Sequence, residues 1–149
     1  MFIGSFKYNL DNKGRVAIPA KLRKYLSPDA NETFIITRGT VNCIDLYPMN
    51  VWEEMVNQKL NLLNSFDPDD AQFMRLLLRE ATDDKFDSQA RITLPKNLID
   101  YAGITKEVMI IGVMKKIEIW DPEAYENYMN ENEKPYVEIA KNVMKMPAQ

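Results

Sequence analysis

The chain has 149 residues, with 19 basic and 22 acidic side chains, a formal net charge of −3 and no histidine. A hydrophobic fraction of 46% with 10% aromatics excludes a disordered chain, and no apolar run approaches the ~20 residues of a membrane span. Without histidine, imidazole-based triads, imidazole general bases and most transition-metal sites are excluded together.

MFIGSFKYNL is too short and too polar for a signal peptide. FKYNLDNKGRVAIP then reads as strand, turn and strand, because Phe6, Tyr8 and Leu10 alternate, NKG is turn chemistry, and Val16 and Ile18 resume the alternation. Pro19 opens a short helix, PAKLRKYL. After the SPDANE loop, TFIITRG and VNCIDLYP form two strands around Gly39, and the single cysteine, Cys43, is a packed thiol that fits a reducing cytosol. Asn50 and Glu53 predict a capping box before a helix carrying Trp52, Met55, Val56, Leu60 and Leu63. Asp67 and Pro68 start another, bearing Phe73, Met74, Leu77 and Leu78. KFD, the turn SQA, RITLP, the helix KNLIDYA, and the strands EVMIIGV and KIEIWDP follow. Asp121 and Pro122 begin a helix with Tyr125 and Tyr128; NENEKP is a hinge before a last helix near 136–146, and MPAQ is a loose tail.

The pattern is written twice. DNKGRVAIPAKLRKY from Asp11 aligns with DSQARITLPKNLIDY from Asp87, matching Asp11 with Asp87, Arg15 with Arg91, Pro19 with Pro95 and Tyr25 with Tyr101. The match resumes at Gly39 with Gly112 and runs through Ile44/Ile117, Asp45/Glu118 and Tyr47/Trp120. Each copy, at about 75 residues, is near the size at which a lone core is marginal, so the two copies are expected to share one.

Charge is segregated as well. Residues 1–25 carry Lys7, Lys13, Arg15, Lys21, Arg23 and Lys24 against Asp11 alone, while the acids gather at 67–70, 83–84 and 118–138. Both copies retain D-x-x-x-R, in which a carboxylate caps turn N–H groups and holds a guanidinium across the turn. Two readings stand. Asp11–Arg15 and Asp87–Arg91 are structural ion pairs, or each aspartate orients an arginine that meets phosphate or a guanine edge. Lys13 and Gly14 stand in the first turn where Gln89 and Ala90 stand in the second, and Lys21, Arg23 and Lys24 align with Asn97, Ile99 and Asp100. The first copy is therefore the better anion-binding surface, and the second reads as a scaffold that keeps its fold-defining pair.

With both motifs and the IEIWDPEAYENY ending quoted, the chain resembles the MraZ family, built of two tandem SpoVT–AbrB-type units. The resemblance covers nearly the whole chain. It implies an α+β fold in which two repeats form a pseudo-two-fold, swapped-hairpin β-barrel with flanking helices. It implies a cytoplasmic, nucleoid-associated transcriptional repressor of the division and cell-wall gene cluster, including its own promoter. A homo-oligomeric ring would bind direct repeats in double-stranded DNA through basic hairpins, at Lys13, Arg15, Lys21, Arg23 and Arg91, with Asp11 and Asp87 orienting the arginines. Ala90, where glycine is usual, and Ile99–Asp100 depart from the family pattern and weaken the expectation of an equal role for the second repeat. No cofactor, metal, membrane or small-molecule substrate is expected. The expected division is a first unit over 1–53, connecting helices over 54–80, a second unit over 81–124, and C-terminal helices with a tail over 125–149. The competing readings are an antitoxin-like protein-binding module, and an enzyme using Asp11 or Asp87, which nothing convergent accompanies.

Overall fold

Six strands form one antiparallel sheet in the order β1 (Ser5–Asn9), β7 (Glu107–Val113), β8 (Lys116–Trp120), β4 (Ile44–Pro48), β3 (Thr33–Arg38) and β5 (Thr82–Lys85). Two short strands, β2 (Arg15–Ala17) and β6 (Arg91–Thr93), pair only with each other. This is a computed structural model, and it describes residues 1–145. The order reads the same under exchange of the two copies, since β1, β3 and β4 correspond to β5, β7 and β8. The pseudo-two-fold axis passes where Asp45 faces Glu118 and where Val16 faces Ile92.

The strands flanking each turn do not form the expected hairpin. β1 pairs with β7 of the other copy, β5 pairs with β3, and β2 pairs with β6. Each turn is instead closed on itself, with the Asp11 N–H donating to the Arg15 carbonyl at 2.9 Å and Asp87 to Arg91 at 3.1 Å. Periodicity selects the face a strand buries, not its partner, and here the apolar faces meet across the axis. The six-stranded sheet is also open, with β1 and β5 at its edges, so the ladders among the described residues do not close the expected barrel.

The shared core follows the repeat. Val16 and Ile92, Ile18 and Leu94, Leu22 and Leu98, Ile44 and Ile117, and Leu46 and Ile119 are all buried in one cluster. Each such side chain stabilises by roughly 1.5–3 kcal/mol, so the halves hold each other.

The short helices α1 (Ala20–Arg23) and α4 (Lys96–Ala102) follow Pro19 and Pro95. α3 (Pro68–Arg79) begins at Asp67, whose carboxylate accepts from the Asp69 and Asp70 N–H groups, and α5 (Pro122–Glu131) begins at Asp121, which accepts from Ala124. The capping box at Asn50 does not form. Pro48 already directs the chain into α2 (Met49–Gln58), which leaves Asn50 in the first turn with a buried Oδ1 that has no partner among the described residues. α2 also ends before Leu60 and Leu63, and Leu60–Leu62 is a 3₁₀ turn. Tyr125 and Tyr128 pack on Trp120 with ring centroids 5.3 and 5.4 Å away, and Trp52 packs on Tyr47 at 5.6 Å, so these aromatics tie helices to strand ends. α6 (Tyr136–Val143) is the last helix of the described residues, and MPAQ lies outside them. No helix of the described residues is long and apolar enough to cross a membrane.

Candidate nucleic-acid interface

The first turn is organised by one carboxylate. Asp11 Oδ1 accepts from the backbone N–H of Lys13 at 2.9 Å and of Arg15 at 2.8 Å, and Oδ2 accepts from Arg15 Nε at 2.7 Å. Gly14 closes the turn at φ +76°. The second turn repeats this geometry: Asp87 Oδ1 accepts from Gln89 and Arg91 N–H at 2.9 Å each, and Oδ2 from Arg91 Nε at 2.8 Å. Ala90 occupies the glycine position at φ +59°, a left-handed conformation unfavourable to a residue with a Cβ.

The backbone N–H of each arginine does most to favour the ionised carboxylate; desolvation opposes it, and the guanidinium and the Lys13 or Gln89 N–H add to the lowering. These hydrogen bonds hold Asp11 down to about 2 and set Asp87 below the ordinary carboxylate value. Each Nε is therefore fixed on its own aspartate throughout the physiological range.

The β2–β6 ribbon brings the two motifs together. Arg91 Nη1 lies 3.8 Å from Asp11 Oδ2, and both arginine side chains remain 27% exposed. With each Nε committed to a carboxylate and Arg91 Nη1 drawn toward Asp11, the remaining Nη groups of two neighbouring guanidiniums are left to meet planar acceptors. That arrangement suits phosphate oxygens or the O6/N7 edge of guanine.

Lys13 and Lys21 are exposed. Arg23 is partly committed, since its Nε donates to the Ile18 carbonyl at 3.0 Å. The interleaved chain path separates residues that are close in sequence. A Cβ built on Gly14 would lie 3.4 Å from Ile99 Cδ1, so the first turn packs against α4 of the second copy. The Leu94 N–H donates to the Gly14 carbonyl and the Ile18 N–H to the Ala90 carbonyl, both at 2.8 Å. By that correspondence α1, with Lys21 and Arg23, stands beside the turn of Asp87–Arg91. The first turn thus lies beside α4, and α1 beside the second turn, so residues 13–23 are divided between two neighbouring places on the surface.

A second polar cluster sits on the axis at β4–β8. Lys116 Nζ lies 3.1 Å from Asp45 Oδ2 and 3.3 Å from Glu118 Oε2, and Cys43 Sγ is 3.8 Å from Asp45 Oδ1. Burial raises the Asp45 carboxyl above its ordinary value despite Lys116, and burial with the nearby carboxylates pushes the Cys43 thiol up. Burial also works against the Lys116 charge, but Asp45, Tyr47 and Glu118 hold its ammonium above the usual lysine value. Cys43, Asp45 and Glu118 are close enough to share a cation, and the ammonium already serves as one. This is an ion-paired clamp between the copies. Its only sequence signal was that Asp45 aligns with Glu118.

Comparison with known proteins agrees with the repeat. The family described as "MraZ protein, putative antitoxin-like" matches residues 1–76 and again 77–146. Among similar proteins, the transcriptional regulator MraZ of Natranaerobius thermophilus is 42% identical over 144 residues, 97% of each chain. That of Halothermothrix orenii is 40% identical over 140 residues, 94% of each chain. The tandem match and these two full-length similarities establish that the chain belongs to the MraZ family.

Proposed function

We propose that the chain is a sequence-specific DNA-binding transcriptional regulator, a repressor of a division and cell-wall gene cluster that includes its own promoter. The observation that carries this reading is the pair of aspartate-held arginines on the β2–β6 ribbon. In it Arg15 and Arg91 contact DNA, Asp11 and Asp87 orient them, and Lys13, Lys21 and Arg23 supply phosphate contacts. The DNA-contacting units are 1–53 and 81–124, with helices 54–80 and 125–149 available for assembly.

One subunit offers few cations, so a lone copy binds weakly. A ring of copies on direct repeats raises affinity through effective concentration without new contacts. This lets a chain of net charge −3 bind a polyanion through one basic band.

The test is a gel shift against the duplex upstream of the chain's own gene at two salt concentrations, with light scattering for mass. Arg15→Ala is expected to abolish binding while leaving the oligomer intact, and wild-type affinity falls steeply with salt. Equal binding by the variant overturns the site assignment.

A second reading, an antitoxin-like protein-binding module, draws on the family description and on α6, where Tyr136 and Val143 are 85% and 74% exposed. Co-purification of a stoichiometric partner protein that releases DNA would favour it.

A further inference from the structure

The interleaving gives each arginine turn a neighbour from the opposite copy, and the two neighbours carry opposite charges. At the root of the first turn the Leu10 N–H donates to the Lys106 carbonyl at 2.7 Å. At the root of the second, the Phe86 N–H donates to the Glu32 carbonyl at 3.1 Å. Leu10 and Phe86 each precede their motif aspartate by one residue, so Lys106 and Glu32 are structural counterparts. Both side chains are exposed.

Lys106 does not stand alone. It lines a cleft of about 710 Å³ together with Lys13 and Gly14 of the first turn and Lys96, Ile99 and Asp100 of α4. Lys96 is bound by Asp100 at 3.0 Å, which offsets its charge. Among the described residues, neither Lys13 nor Lys106 has a carboxylate oxygen within 4.0 Å. Two cations from different copies, each without a carboxylate contact, thus share one cleft with Asp11, whose carboxylate is held by Arg15.

We propose that Lys106 is a phosphate-contacting residue of the first turn's DNA site, contributed by the second repeat, and that Glu32 repels phosphate at the second. This inference rests on the DNA-binding reading above. The inequality of the two turns therefore lies partly in residues 32 and 106, outside either motif. A cation near a phosphate adds to affinity by counterion release, and a carboxylate in the same place opposes it.

The test is fluorescence anisotropy over 50–200 mM salt, using a labelled duplex from the region upstream of the chain's own gene and a shuffled duplex of equal length. Lys106→Ala is expected to weaken binding to both duplexes several-fold. It should reduce the slope of log affinity against log salt by about one for each subunit in contact. Glu32→Lys should do the opposite, tightening binding and steepening the slope. Lys106→Gln repeats the loss with a polar side chain, and light scattering checks that each variant keeps the wild-type mass. If Arg15→Ala abolishes binding while Lys106→Ala and Glu32→Lys leave the slope unchanged, this inference fails and the DNA-binding reading stands. If Arg15→Ala also binds as wild type, the reading itself fails first.

Discussion

Replacing Lys116 with methionine removes the cation of the axial clamp and keeps most of the side-chain volume. Asp45, with a side chain only 5% exposed, is then left facing Glu118 without a countercharge, and Lys116 itself is only 23% exposed. Breaking a buried pair from one side costs about 3–5 kcal/mol when the remaining group is ionised. For a chain of this length that lowers the melting temperature on the order of 10 °C. The pH dependence has a definite sign. Burial already raises Asp45, and without Lys116 the folded-state carboxyl rises further above the unfolded value of 3.8. The native state then binds a proton that the unfolded chain has released, so stability falls as pH rises above about 4. Thermal unfolding at pH 5 and pH 8 should show the larger defect at pH 8. Asp45→Leu combined with Lys116→Met should recover most of the loss, because both charges leave the interior together. A Lys116→Met protein within 1 kcal/mol of wild type at pH 8, or a defect independent of pH, refutes the clamp.

Gly14→Ala places a Cβ at φ +76°, 3.2 Å from the Leu94 carbonyl oxygen. Since Ala90 accepts the same conformation, the variant should fold with a loss of about 1–2 kcal/mol in chemical denaturation; an unchanged midpoint counts against the turn geometry. The depressed carboxylates give an acid limit: stabilisation by Asp11 is fully present above its ordinary value of 3.8 and is lost as pH falls through about 2. Carboxyl-carbon NMR titration should place the Asp11 midpoint near 2, and a midpoint near 3.8 would show that the three hydrogen bonds are not held in solution.

Much of the site was legible because the chain repeats itself. Asp11–Arg15 and Asp87–Arg91 formed as the motif suggested, since a carboxylate four residues before an arginine can satisfy the turn without help from elsewhere. The caps at Asp67 and Asp121 were local in the same way. The pairing across copies was not legible in the residues themselves, and only the family resemblance implied a swapped hairpin. Val16 and Ile92 alternate correctly for strands, but nothing within either copy says that they pair with each other across the axis. That choice follows from the shared core, and it carried α1 and α4 to turns they do not adjoin in sequence. Asn50 misled because Pro48 fixes the helix entry before a side-chain cap is needed. The Asp45–Lys116 contact spans 71 positions and had no local signal.

Substitution of both arginines by lysine tests most directly whether the two aspartate-oriented guanidiniums read DNA. Arg15→Lys with Arg91→Lys preserves charge and removes the planar fork. Affinity should be measured side by side for the duplex upstream of the chain's own gene and for a shuffled duplex. The variant is expected to bind the two duplexes nearly equally, close to the wild-type affinity for the shuffled one. A lysine variant that still prefers the upstream duplex as strongly as wild type contradicts the account.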